Sequence, residues 1–258
     1  MSELILFRDE KEEPMSRPAG AFLYQHIHVH DGHPLHLEQH IQLLNTASRQ
    51  LFKRDFRPNP SQLAGRIAEL LHKNRYPQRG SSFVRIELPA TGGIRLLPAG
   101  ISLYDGYALG AIRHKASVRQ YDYPMPEYPT SAGEATTNLI LQCAEQEGIT
   151  AVIRSDRNEL VRSVNNAPLF AVKGETVYTP PSPPSVEREL ALRLIQAVGL
   201  PLHEQEIGCE QLPLFDELFY FNHRGIYSIA RCGSALYADI ITSRLARRLD
   251  SLLSPEKE

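Results

Sequence analysis

The sequence predicts an α+β fold in two lobes, and three observations carry that prediction. Stretches with the three- and four-residue spacing of amphipathic helices are mixed with stretches of period two. They follow no strict strand–helix–strand rhythm, which sets aside a doubly wound parallel sheet. A segment with three prolines and three tyrosines, YDYPMPEYPTSAG (121–133), interrupts the pattern near the middle of the chain. With 258 residues the chain can bury one large core or two small ones. We therefore expect an N-terminal lobe over 1–120, an interdomain linker over 121–133 and a C-terminal lobe over 134–258.

Residues 3–8 read as a short strand. Residues 21–30, AFLYQHIHVH, read as another, closed by Asp31-Gly32, a pair suited to a tight hairpin turn. Leu37, Ile41, Leu44, Ser48 and Leu51 share a helical face, so 36–55 predicts a helix that Pro58 and Pro60 end. Leu63, Ile67, Leu70 and Leu71 mark a second helix over about 61–73. Val84, Ile86 and Leu88 alternate with Arg85 and Glu87, the pattern of a half-buried strand. Further strands are expected near 94–97, 101–104 and 109–119. Past the linker come a helix (about 135–147) and strands near 150–154, 159–163, 168–173 and 176–179. A stiff proline loop, TPPSPPS (179–185), then leads to a helix marked by Val186, Leu190, Leu194 and Val198. A strand pair near 217–231 and a helix near 235–252 complete the expected set.

Composition narrows the function classes. The formal net charge is -2 and the basic residues are scattered, so no nucleic-acid partner is expected. No apolar run reaches the length of a membrane span, and the N-terminus turns acidic too early for a secretory signal. Cys143, Cys209 and Cys232 form no CxxC pair and are odd in number, which fits reduced thiols in a cytoplasmic protein.

Four stretches carry a resemblance. YQHIHVHDGHPLHLEQHIQLL (24–44), LVRSVNNAPLFAVKGETVYTPP (160–181), SVERELALRLIQAVGL (185–200) and LFDELFYFNHRGIYSIARCG (214–233) resemble, in order, the signatures of the fold-type-IV pyridoxal-phosphate family. That family contains the class IV aminotransferases and aminodeoxychorismate lyases. The resemblance implies a D-amino-acid-aminotransferase-like architecture: a two-lobed homodimer with its site between the lobes. It also implies a lysine that forms an imine with the cofactor and moves protons. By the same resemblance that lysine falls on Glu134, or on Ala135 if the register slips by one, and no lysine lies between Lys115 and Lys173. The family's phosphate-gripping arginine falls on Gln42, its ring-nitrogen glutamate on Ser163, and a nearby asparagine on Pro168.

These departures imply a family member that binds a small anionic metabolite in the old cofactor cleft. No cofactor is expected, with non-covalent pyridoxal phosphate as the alternative, and no metal. Val186 and Glu187 open a helix whose N–H groups and dipole offer an anion site, and Asn222, His223 and Arg224 form the other phosphate-facing loop. Arg162 and Ser163 flank the ring position. Tyr24, His26, His28 and His30 share one face of a strand, and the first three match the family's site-lining face. Tyr24, His28 and Glu134 are the candidate catalytic residues. Glu134 either moves protons in the site or complements the dipole of its helix. The histidines either act as acid and base or decorate a solvent face. Three functions follow: a new acid–base enzyme, a non-catalytic binding protein, or a true pyridoxal-phosphate enzyme with its lysine elsewhere.

Overall fold

The structure, a computed structural model, describes residues 4–9, 11–16, 20–102 and 113–253, the side chains of 250–253 excepted. Two compact units divide the chain: Met1–Gly106 with Tyr128–Ala132, and Tyr107–Glu127 with Gly133–Glu258.

The first unit holds β1 (Ile5–Arg8), β2 (Lys11–Pro14), β3 (Phe22–His30), β4 (His33–Pro34), α1 (Leu37–Phe52), α2 (Pro60–Lys73), β5 (Ser81–Pro89) and β6 (Arg95–Ile101). Its described strands form an antiparallel sheet in the order β2-β1-β6-β5-β3-β4. The β3–β4 hairpin turns on Asp31 and Gly32 with φ of 47° and 78°, the two left-handed positions that an Asp-Gly turn supplies. Leu23, Ile27 and Val29 of β3 and Val84, Ile86 and Leu88 of β5 share one face. Leu37, Ile41 and Leu44 of α1 and Leu63, Ile67 and Leu70 of α2 close over that face as one core. Asn59 caps α2 by accepting from Gln62 N–H, and Pro60 stands at the helix start, where no N–H is needed. The strands expected near 94–97 and 101–104 are largely one strand, β6; residues 103–112 lie outside the described residues.

The second unit holds β7 (His114–Gln120), α3 (Ser131–Glu145, from Gly133 onward), β8 (Ala151–Ser155), β9 (Val161–Val164), β10 (Leu169–Lys173), β11 (Thr176–Thr179), α4 (Val186–Ala197), β12 (Leu202–Glu204), β13 (Glu217–Asn222), β14 (Gly225–Cys232), β15 (Ala235–Leu236) and α5 (Ile240–Leu253). A 3-10 turn, Cys209–Leu214, precedes β13. The sheet runs β12-β11-β10-β13-β14-β7-β8-β9, with β15 beside β14. β9 leads through a two-residue turn back into β10, so the ends of the run β10 to β9 meet around a core of Ile153, Val164, Leu169, Leu218, Tyr220 and Ile229. β7 lies parallel to both β14 and β8, so it belongs to this sheet and not to the N-terminal elements grouped with it at 1–120. α3 begins at Ser131, earlier than expected, because Gly133 does not break the helix. A Cβ there would stand 2.8 Å from Tyr123 Cε2, so the glycine makes room for the ring.

Candidate active site

The head of α3 is packed by side chains from three other segments of the second unit. Thr137 is buried and donates to Asn166 Oδ1 at 2.7 Å, and the Tyr121 hydroxyl lies 3.3 Å from Thr137 Oγ1. The Tyr123 ring rests on Gly133, and the Arg154 guanidinium lies over that ring, 5.0 Å from its centroid. Arg154 Nε donates to Ser163 Oγ at 3.4 Å across the β8–β9 ladder. Both residues are buried, so the hydroxyl at Ser163 faces a cation. Burial pushes the Tyr121 and Tyr123 phenols up, against the lowering effect of the Arg154 charge. Glu134 stands in the first turn of α3, half-buried, where a negative charge suits the helix dipole, and Ala135 beside it is exposed.

Two expected anion contacts are engaged inside the chain. The ladder shifts register between Arg154 and Ser155, leaving Arg162 unpaired on β9, as in a bulge. Arg162 turns to Asp156, at 2.8 and 2.5 Å, and to Glu206, at 2.9 and 3.1 Å. At α4, the cap Ser185 accepts from Arg188 N–H at 3.0 Å. The Glu187 carboxyl is bonded to its own N–H and to the Ser185 hydroxyl, and Glu189 N–H reaches the Ser185 carbonyl at 3.1 Å. The helix start expected to take an outside anion thus has one free N–H capped by Ser185 and negative charge from Glu187 and Glu189 in its first turn. Burial pushes the Glu187 carboxyl up to about 7, against the pull of its two hydrogen bonds. Val186 is buried. Asn222, His223 and Arg224 form the β13–β14 hairpin, where Asn222 Oδ1 accepts from Arg224 N–H at 2.8 Å and the Arg224 side chain is exposed.

The first unit carries the other candidates. Tyr24, His26, His28 and His30 lie on the sheet face away from α1 and α2, opposite Glu87, Arg85, Phe83 and Ser81 of β5. Arg85 stacks on Tyr24 at 4.4 Å and pairs with Glu87 at 2.8 Å, and Glu87 also takes the buried Arg95 at 2.8 Å. His28 Nε2 meets Ser81 Oγ at 2.7 Å, and burial, then the charges of His30 and His36, lower its pKa to about 4. His40, read as a packing residue, is buried and bonds Gln25 Oε1 at 2.8 Å.

Sequence reasoning missed Arg154, Tyr123, Thr137 and Asn166. Arg154 carried a signal: it sits in AVIRS, a strand buried along its whole length, where a charge needs a reason. The three cysteines are all free, and among the described residues no three His, Cys, Asp or Glu side chains gather as metal ligands would. Among the described residues no helix is long and apolar enough to cross a membrane.

Comparison with solved structures finds the same fold throughout. The branched-chain amino acid aminotransferase of Escherichia coli superposes with a TM-score of 0.80 at 16% identity, covering 100% of this chain and 96% of that one. An aminotransferase from Brucella abortus bound to the co-factor PLP gives 0.77 at 15%, covering 96% and 98%. The branched-chain aminotransferase of the thermophilic archaeon Thermoproteus uzoniensis, solved with norvaline, gives 0.80 at 17%, covering 96% and 94%. No curated protein matches by sequence. The expectation that no cofactor is involved is corrected by solved members of this fold, which hold pyridoxal phosphate or its derivatives. The lost anchors read in the sequence therefore do not take the chain out of a cofactor-using family. The α+β, fold-type-IV architecture is the one observed. The amino-transferase class IV family model matches residues 23–232, and the chain belongs to that family.

Proposed function

We propose that this chain is a class IV aminotransferase relative that does not transaminate, binds a small anionic metabolite in its second unit, and holds any pyridoxal phosphate it takes up without a covalent bond. The observation that carries the reading is the head of α3: the first turn, to which the resemblance assigns the imine-forming lysine, carries Glu134 and Ala135. Of the second unit's described lysines, Lys115 is exposed on β7 and Lys173 is paired with Asp216 at 2.8 Å.

When bound, pyridoxal phosphate supplies an aldehyde for an amine and a ring that takes up electrons once its nitrogen is protonated. The residues present do not fit that chemistry. The ring-nitrogen position offers the Ser163 hydroxyl beside the Arg154 guanidinium, and a cation disfavours a protonated ring nitrogen. At the head of α4, where a phosphate is expected, Ser185 takes one free N–H and Glu187 and Glu189 put negative charge in the first turn. What the residues do offer is a buried cation, hydroxyls and phenols at the head of α3, a donor set suited to an oxyanion.

Amino transfer is the direct test. Purified protein supplied with pyridoxal phosphate, branched-chain or aromatic amino acids and 2-oxoglutarate is expected to form no glutamate above background. Turnover that depends on the protein and on pyridoxal phosphate would sink the reading. A homodimer belongs to the same proposal, and light scattering at the mass of a single chain would remove it.

A further inference from the structure

Arg154 is only 7% exposed as a residue, and a cation so placed needs compensation. Other arginines of this unit have it. Arg188, equally buried, is held by Glu204 and Thr179, and Arg162 by Asp156 and Glu206. Arg154 differs. Among the described residues its polar neighbours are Ser163 Oγ at 3.4 Å and the Asp122 carboxylate at 3.8 Å, beyond hydrogen-bond range. One face of the guanidinium is taken by Tyr123, but stacking leaves the N–H edge unspent. Asp122 is half-exposed and shared: it stands 3.5 Å from Arg157, whose side chain is 87% exposed.

We propose that Arg154 is the receptor for the carboxylate of a small ligand, and that Asp122 is the internal carboxylate which this ligand displaces. The proposal rests on the anionic-metabolite reading above and names the anionic group. A carboxylate presents two oxygens to the planar fork of a guanidinium and replaces a loose contact with paired, charge-assisted bonds of roughly 2.8 Å. Asp122, released, keeps a counter-charge in Arg157, so the exchange leaves no buried charge unmatched. Ser163 accepts from Arg154 Nε, which turns its own proton outward to a second ligand oxygen.

The test is calorimetric titration of the full chain with benzoate and, separately, inorganic phosphate. Benzoate is expected to bind the native protein, to bind Arg154→Gln about tenfold or more weakly, and to bind Asp122→Asn roughly two- to fivefold more tightly. The tightening separates a ligand receptor from a structural arginine, and it decides the question alone if Arg154→Gln fails to fold by circular dichroism. The proposal is overturned by unchanged or weaker benzoate binding in Asp122→Asn, by native affinity in Arg154→Gln, by no benzoate binding at millimolar concentration, or by binding of phosphate alone. Amino transfer by the native protein would sink the earlier reading and leave this one standing, while a silent Asp122→Asn would do the reverse.

Discussion

His28 and His40 are both held neutral, chiefly by burial, with pKa values of about 4 and about 3. In the unfolded chain each returns to roughly 6.5. Between about pH 6.5 and 4 the unfolded state therefore binds more protons, and stability falls as pH falls through that window. Thermal unfolding of the first unit should begin earlier at pH 5 than at pH 7, and His28→Gln should flatten that dependence. A pH-independent transition, or one unchanged in its slope by the substitution, contradicts the assignment. The shared face of Tyr24, His26, His28 and His30 was legible because a strand alternates with period two. The burial of His28 was not legible, because it depends on Phe83 and Ser81, which lie more than fifty residues away in sequence. The same holds for Arg154: its neighbours Tyr123 and Ser163 come from separate elements that no local spacing connects.

Helix ends and turns are fixed by a few short side chains. The turn between β9 and β10 places Asn165 and Asn166 at φ of 47° and 64°, a mirror-image turn that asparagine tolerates better than other side-chain residues. Asn165 Oδ1 accepts from Val152 N–H at 2.9 Å, and Asn166 ties the turn to Thr137. Asn166→Ala should cost roughly 2 kcal/mol, combining left-handed strain with the lost hydrogen bond, and Asn166→Gly about half that. Equal urea midpoints for the two variants would remove the strain argument. At α4, Glu187 is raised above its unfolded value of 4.5 to about 7, so the stability it contributes is present below about 4.5 and lost as pH rises through about 7. Glu187→Gln should therefore gain roughly 1–3 kcal/mol relative to the native chain between pH 5 and 8. A constant difference across that range would contradict it. The helix itself was legible from Val186, Leu190 and Leu194. That Ser185 would cap its first turn and Glu187 would sit in it with a raised pKa was not, since Ser and Glu after a proline loop read equally well as an open anion site.

The α+β class followed from mixed periodicity, and the family followed from four ordered signatures. The parallel pairing of β7 with β14 and β8 had no local signal, because partners more than thirty residues apart are chosen by the closing of the sheet. β12, β15 and the 3-10 turn are too short for periodicity to announce. The resemblance led furthest astray on the cofactor: positions read as lost anchors suggested that none is used, with non-covalent pyridoxal phosphate as the alternative, whereas solved members of the fold hold pyridoxal phosphate or its derivatives. In this chain the head of α3 carries an acid, and a cation stands beside Ser163. The most direct measurement is reduction with borohydride after incubation with pyridoxal phosphate, followed by peptide mass spectrometry. The account predicts no pyridoxyl group on Lys115, Lys173 or any other lysine at stoichiometric cofactor. A single lysine labelled to completion, with the matching visible absorbance before reduction, would contradict it.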